Sequence, residues 1–196
     1  MKIIGITGGV GAGKSQILSY IQDHYHSRIV RADEVAHLVK EPGQACYKGL
    51  IDLLGEKVLN EDGTIHKGKM AEMIFSDKQL LERVNALMHP EVKKYILNQI
   101  QLEQERGEVD YFFIEAALLI EEHYDEIVDE LWYIHADIDV RKQRLMQSRN
   151  YSEQKVADIM RGQLREEDFR KHCKEVISNN GDLEETYKQI KQIMGE

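Results

Sequence analysis

The chain has 196 residues, a net charge of −9, and 42% hydrophobic against 31% charged residues. That length makes one compact domain with a sizeable buried core, and the composition excludes disordered, collagen-like and membrane-spanning classes. The acidic balance speaks against a general binder of nucleic-acid backbones, which needs a basic face. It leaves room for a small anion held by backbone N–H groups and a few local cations.

From the N-terminus onward, short apolar runs at residues 3–6, 29–30, 111–114, 131–134 and 176–177 are each followed by a longer helix-like segment. Unbroken rather than alternating apolar residues suit strands buried on both faces. Strands alternating with helices predict βαβ units, hence an α/β fold with a parallel sheet between two helical layers. The first helix is expected over residues 15–25. Residues 34–109 carry about four helical patterns and no convincing strand, too much for a loop, so they predict a helical insertion. Within it, Glu41-Pro42-Gly43 marks a boundary and residues 60–63 read as a turn. Ser76 or Asp77 caps a helix running to Met88, and Pro90 suits the first turn of another over residues 91–105. Residues 139–172, dense in Arg and Lys among acids, predict two solvated amphipathic helices. The last helix is expected over residues 182–194 with Asp182 as its cap.

The first residues do not read as a signal peptide, and no run approaches the ~18 apolar residues of a membrane span. Cys46 and Cys173 stand far apart without metal-like spacing, which fits free thiols in a reducing compartment. A cytoplasmic protein is therefore expected, with no membrane or nucleic-acid partner and no evident obligate protein partner.

Chemistry concentrates in residues 8–15, Gly8-Gly9-Val10-Gly11-Ala12-Gly13-Lys14-Ser15, which fit G-x-x-x-x-G-K-[ST] without mismatch. A strand-like run precedes this P-loop and a helical pattern follows it. Glycines let backbone N–H groups approach phosphate oxygens, and the helix adds its positive end. Lys14 reaches the β- and γ-phosphates, and the Ser15 hydroxyl takes a place on Mg²⁺. Asp33 follows the second strand, at the end where parallel sheets bind ligands. It either orients the proton of an attacking hydroxyl or caps the next helix. Arg141, Arg144 and Arg149 either neutralise a transferring phosphoryl group or lie on a solvated face. No N-K-x-D signature occurs, which disfavours a switch GTPase. The histidines are scattered without clustered partners, so Mg²⁺ is expected to arrive with the nucleotide and not in a dedicated protein cage.

With these residues assembled, the chain resembles the dephospho-coenzyme A kinases, a family of small P-loop kinases. The likeness runs through G-x-T-G-G-x-G-x-G-K-S at residues 5–15, Ala32-Asp33, Glu41-Pro42-Gly43-Gln44, Gly55, Asp62-Gly63, His89-Pro90 and Leu118-Leu119 with Glu121. It continues through Arg144-Leu145, Gln163 and Asn179-Asn180-Gly181. The resemblance implies a P-loop NTPase-type α/β/α core (1–33, 110–138, 173–196) with a five-stranded parallel sheet. It also implies a helical substrate-binding insertion (34–109) and a lid (139–172), all within a single kinase domain. It implies transfer of the ATP γ-phosphoryl to the ribose 3′-hydroxyl of dephospho-CoA, the last step of coenzyme A synthesis, with ATP, Mg²⁺ and dephospho-CoA as the small-molecule partners.

Carried over, Gly11, Ala12, Gly13, Lys14, Ser15 and Gln16 form the ATP phosphate cradle, with Lys14 also catalytic and Ser15 on the metal. Asp33 becomes the catalytic base, Thr7 stands close to the reacting phosphates, and Arg144 is the lid arginine. Asn179 to Gly181 lie beside adenine, and His89 is structural or lines the acceptor site. Arg31 stands where the family commonly has the first aspartate of D-A-D, and Gln16 replaces a threonine. Residues 115–121 read EAALLIE against the family's D-x-P-L-L-[FV]-E, so Glu115 keeps a carboxylate for metal-bound water while Ala117 replaces proline. A second lid arginine falls on Ser148, with Arg149 beside it. Two rival readings stand beside this one: a P-loop kinase for a nucleoside or nucleotide, and a module that binds ATP and transfers nothing.

Overall fold

The computed structural model describes residues 1–195. In chain order its elements are β1 (Lys2–Thr7), α1 (Lys14–His24), β2 (Ser27–Arg31), α2 (Ala32–Leu38), α3 (Tyr47–Leu54), α4 (Lys67–Ser76), α5 (Lys78–Arg106), β3 (Tyr111–Glu115), β4 (Glu130–His135), α6 (Ile138–Arg149), α7 (Glu153–Arg161), α8 (Glu166–His172), β5 (Glu175–Ser178) and α9 (Leu183–Met194). All five apolar runs are strands, joined in one sheet of order β2-β3-β1-β4-β5. The sheet is all-parallel: Ile4 lies opposite Phe113 on β3 and Glu130 on β4, and Tyr133 on β4 lies opposite Val176 on β5.

The chain forms two compact units, Met1–Ile29 together with the chain from Gly107 onward, and Val30–Arg106. In the first unit, Ile4, Ile6, Phe113, Trp132, Ile134 and Ile177 point to one face of the sheet. There they bury against Ile17, Leu18 and Ile21 of α1 and Ile190 of α9. The alternate residues Phe112, Ile114, Leu131 and Tyr133 are buried as well, and the Tyr133 ring stacks on Phe169 of α8 at 4.7 Å. Burial on both faces is why these strands read as unbroken apolar runs. Each such fully buried side chain contributes roughly 1.5–3 kcal/mol.

The second unit is built around α5, against which α2, α3 and α4 pack. Its buried stripe of Val84, Val92, Ile96 and Ile100 repeats at helical spacing. The two helices expected on either side of Pro90 are here one helix, with Pro90 in its interior. Proline removes one i→i−4 hydrogen bond, and a stripe with buried members on both sides of it keeps the helix continuous through that gap. Asp77 caps its start, accepting from Gln79 N at 2.9 Å and Leu80 N at 3.1 Å. The turn at residues 60–63 is present, with Asp62 accepting from Thr64 N at 2.9 Å and Gly63 at φ 82°. Residues 139–172 form three helices instead of two: the chain breaks again after α7, around Gly162 and Gln163, before α8. Asp182 caps α9 through Glu184 N at 3.2 Å, as its sequence position requires. Among the described residues, no helix is long and apolar enough to cross a membrane.

Candidate active site

The loop between β1 and α1 is held by donors that grip its carbonyl oxygens. Lys14 Nζ donates to Gly8 O at 2.8 Å, and Asn179 Nδ2 to Ala12 O at 2.8 Å. Arg144 Nη1 reaches the same Ala12 oxygen at 3.5 Å, and Arg141 Nε donates to Val10 O at 3.0 Å. Ala12 N–H turns back onto Gly9 O at 3.1 Å, so the loop is a tight glycine-rich turn ahead of a helix, the kind of segment from which anion nests are built. Gly13 is the N-cap of α1 at φ 89°, ψ 20°, a left-handed conformation that glycine adopts without a Cβ clash. The first N–H groups of α1 have no intrahelical partner, and its macrodipole places positive potential at the same point.

Lys14 is the first residue of α1 and lies 3.7 Å from the Glu115 carboxylate, both side chains largely buried. The register explains the pair. Ile6, next to last on β1, lies opposite Glu115, the last residue of β3, so the two strands end side by side. The sequence assigns Glu115 a carboxylate for metal-bound water; its ion pair with Lys14 is an addition from the structure. The signal that finds this pairing is an acid at the carboxyl end of a buried apolar strand. Thr7 is fully buried at the end of β1, and its hydroxyl has no hydrogen-bond partner. Ser15 and Gln16 are exposed on the first turn of α1.

Asn179 follows β5 and is fully buried, with its backbone N–H on His135 O at 2.7 Å. Its amide donates to the loop while its own carbonyl accepts from Thr186 Oγ1 at 3.1 Å. Both ends of that side chain are thus engaged by protein, and its position is that of a strut under the loop. Asn180 Oδ1 accepts from Asp137 N at 2.6 Å, tying together the segments that leave β4 and β5. Gly181 is exposed just beyond. A cavity of about 570 Å³ runs along α1 and α9 from Gln16, lined by Ser19, Tyr20, Tyr187, Lys188 and Lys191 among others, where Tyr20 and Tyr187 stack at 3.9 Å.

In the second unit, α2 starts at Ala32 with Arg31 as its cap residue, so Asp33 is the second helical residue. Asp33 is therefore not the N-cap of this helix; it is an exposed acid of the first turn. Arg31, in place of the family's aspartate, pairs with Glu34 at 3.6 Å. His89 is half-buried within α5, immediately before Pro90.

A five-stranded parallel sheet of order 2-3-1-4-5, with a glycine loop, lysine and helix after its central strand, defines a P-loop kinase. The family model for dephospho-CoA kinase matches residues 2–185. The dephospho-CoA kinase of Carboxydothermus hydrogenoformans is 32% identical over 99% of this chain and 93% of its own length. That of Listeria monocytogenes is 34% identical over 96% and 94%. A crystal structure from Thermus thermophilus superposes with a TM-score of 0.83 at 28% identity, covering 98% of this chain and 96% of that one. A shikimate kinase from Acinetobacter baumannii, at 12% identity and a TM-score of 0.53 over 99% and 93% of the two chains, shares the fold. The chain belongs to the dephospho-CoA kinase family, and is an ATP-dependent phosphotransferase of coenzyme A synthesis.

Proposed function

We propose that this enzyme transfers the γ-phosphoryl group of ATP to the ribose 3′-hydroxyl of dephospho-CoA, giving CoA and ADP, in the cytoplasm. The observation that carries the reading is the match to the dephospho-CoA kinase family over residues 2–185, centred on an intact P-loop. In it the loop N–H groups and Lys14 bind the β- and γ-phosphates, so Lys14 exchanges its contact with Gly8 O for phosphate oxygen. Asp33 accepts the proton of the 3′-hydroxyl as that oxygen attacks phosphorus and the bond to the β–γ bridging oxygen breaks. Arg144, whose guanidinium already reaches the loop, offsets charge on the transferring group. The buried, unpartnered Thr7 hydroxyl gains an acceptor when phosphate binds, which removes a desolvation cost of about 1–3 kcal/mol. Gly181, exposed beyond the fully engaged Asn179, is left to line the adenine. His89 serves the acceptor side.

The donor set also fits Mg²⁺ entering with the nucleotide: Ser15 presents an exposed hydroxyl on the first turn of α1, and Glu115 lies beside Lys14. When bound, the ion neutralises phosphate charge, and Ser15 is the residue that would hold it. Two free, buried cysteines suit the reducing cytoplasm.

The test is ADP release with Mg-ATP in the presence of dephospho-CoA, adenosine or AMP. Turnover with dephospho-CoA alone, yielding CoA, is expected; preference for adenosine or AMP transfers the assignment to a nucleoside or nucleotide kinase. ATP binding without turnover on any acceptor makes it a regulatory module. Asp33→Ala is expected to spare ATP binding and reduce turnover about a hundredfold or more. Unchanged turnover removes Asp33 from the role of base.

A further inference from the structure

Arg141, near the start of α6, lies directly on the glycine loop and has no part in the reaction set out above. Its Nε donates to Val10 O at 3.0 Å while a terminal nitrogen donates to Gln163 Oε1, in the link between α7 and α8. That same Gln163 oxygen accepts the Val10 N–H at 3.4 Å. One residue of the loop is thus held through both of its flanking peptides, its carbonyl by Arg141 and its N–H by Gln163. The approach is so close that a Cβ on Gly9 would overlap the guanidinium. An arginine suits this role, because its rigid planar fork addresses the two acceptors in a fixed geometry that the rotating donors of an ammonium do not hold.

The partners of this guanidinium are neutral. Among the described residues no carboxylate lies within ion-pair distance of Arg141, although it is half-buried. Burial pulls its pKa below the ordinary arginine value, with Tyr133 opposing. A cation held without a counter-charge carries an unrecovered desolvation cost. The molecule accepts that cost beside a loop shaped to receive anions.

We infer that Arg141 is a positioning residue for the triphosphate: with Gln163 it sets the backbone of the glycine loop on either side of Val10, and it supplies fixed positive charge whose counter-ion is the bound phosphate chain. The inference rests on reading the loop as the triphosphate site. It adds a second arginine from α6 with a different task, since Arg144 acts on the transferring group and Arg141 on the shape and potential of the cradle. Gln163 makes the α7–α8 link part of the same device, because a single side-chain oxygen joins it to both Arg141 and Val10.

The experiment is calorimetric binding of tripolyphosphate, ATP and adenosine to wild type, Arg141→Met and Arg141→Lys, beside thermal denaturation of each protein without ligand. Arg141→Met is expected to bind tripolyphosphate and ATP at least tenfold more weakly and with a flatter dependence on salt. Adenosine affinity should be unchanged, and the ligand-free melting temperature should stay within a few degrees or rise. Arg141→Lys keeps the charge without the fork, and should fall between the two. The inference is overturned if folded Arg141→Met, or Arg141→Lys should the former not fold, binds tripolyphosphate as wild type does. A ligand-free melting temperature that drops while that affinity is unchanged reduces Arg141 to a strut, and overturns it equally. Tripolyphosphate binding involves no acceptor, so failure to phosphorylate dephospho-CoA leaves this result standing, and the reverse holds too.

Discussion

Gly13 shows how one missing Cβ serves two functions. Its φ of 89° starts α1 at the angle that turns the loop back toward the helix, and the space where a Cβ would sit is taken by the Asn179 amide. Gly13→Ala therefore meets two separate penalties. The left-handed backbone costs an alanine roughly 1–2 kcal/mol, and the new methyl displaces the donor that holds Ala12 O. The expected outcome is a melting temperature lower by about 2–8 °C and ATP affinity reduced tenfold or more, read by thermal denaturation and calorimetry. Asn179→Ala in the same background separates the two contributions. It removes the collision but not the strain, so the double variant should lose less than the sum of the singles. Strict additivity would mean that Gly13 and Asn179 do not meet in solution.

At the level of elements, the amino-terminal ends of the adjacent strands β1, β4 and β5 carry their own electrostatic fastening. Glu130, at the start of β4, is almost wholly buried, and accepts from Lys2 Nζ at 2.8 Å, Lys174 Nζ at 2.6 Å and Trp132 Nε1 at 2.9 Å. Burial alone would raise its pKa, but the bonds from Lys174, Lys2 and Trp132 outweigh it and bring the carboxyl from 4.5 down to about 2. Because the folded pKa lies below the unfolded one, this contribution to stability is complete above about pH 4.5 and lost as pH falls towards 2. Its size is roughly 3 kcal/mol. Glu130→Gln should lower the denaturant midpoint at pH 7, with the gap to wild type shrinking below about pH 4.5 and closing only as pH falls to about 2; a gap between the two proteins that stays constant with pH would rule out the ionised carboxylate as the source. The strands themselves were legible as apolar runs because β1, β3 and β4 are covered on both faces, a property local to each segment. Pro90 was not legible as an interior position. A proline marks a helix start by default, and only the stripe of buried residues on α5, which needs packing partners to be recognised, shows that the helix runs through it.

For the molecule as a whole, the same division between local and distant information governs the site. The glycine loop, Lys14 and Ser15 are contiguous in sequence, so their spacing alone announces them. The struts beneath the loop come from Arg141, Gln163 and Asn179, more than a hundred residues away. They were visible as residues, but their direction was not, because it follows from strand order. Asn179 sits after β5, which is separated from β1 by β4, and nothing in the linear chain says that its amide turns inward to Ala12. The two cysteines offer one probe in each compact unit. Cys46 is fully buried in the second unit, its thiol pKa raised by burial and by Glu91. Cys173 is buried in the first, and burial pushes its thiol up to about 12. A raised thiol pKa favours the unreactive neutral form. At pH 8 the Cys173 thiolate fraction is about one in ten thousand by that value, before access is counted. In the folded enzyme, alkylation by iodoacetamide resolved by mass spectrometry should therefore leave both thiols intact over a time that fully labels them in denaturant. Labelling of Cys173 in native buffer at the rate of an unfolded control would show that the first unit opens around β5. Selective labelling of Cys46 would instead place the less stable part of the molecule among α3, α4 and α5.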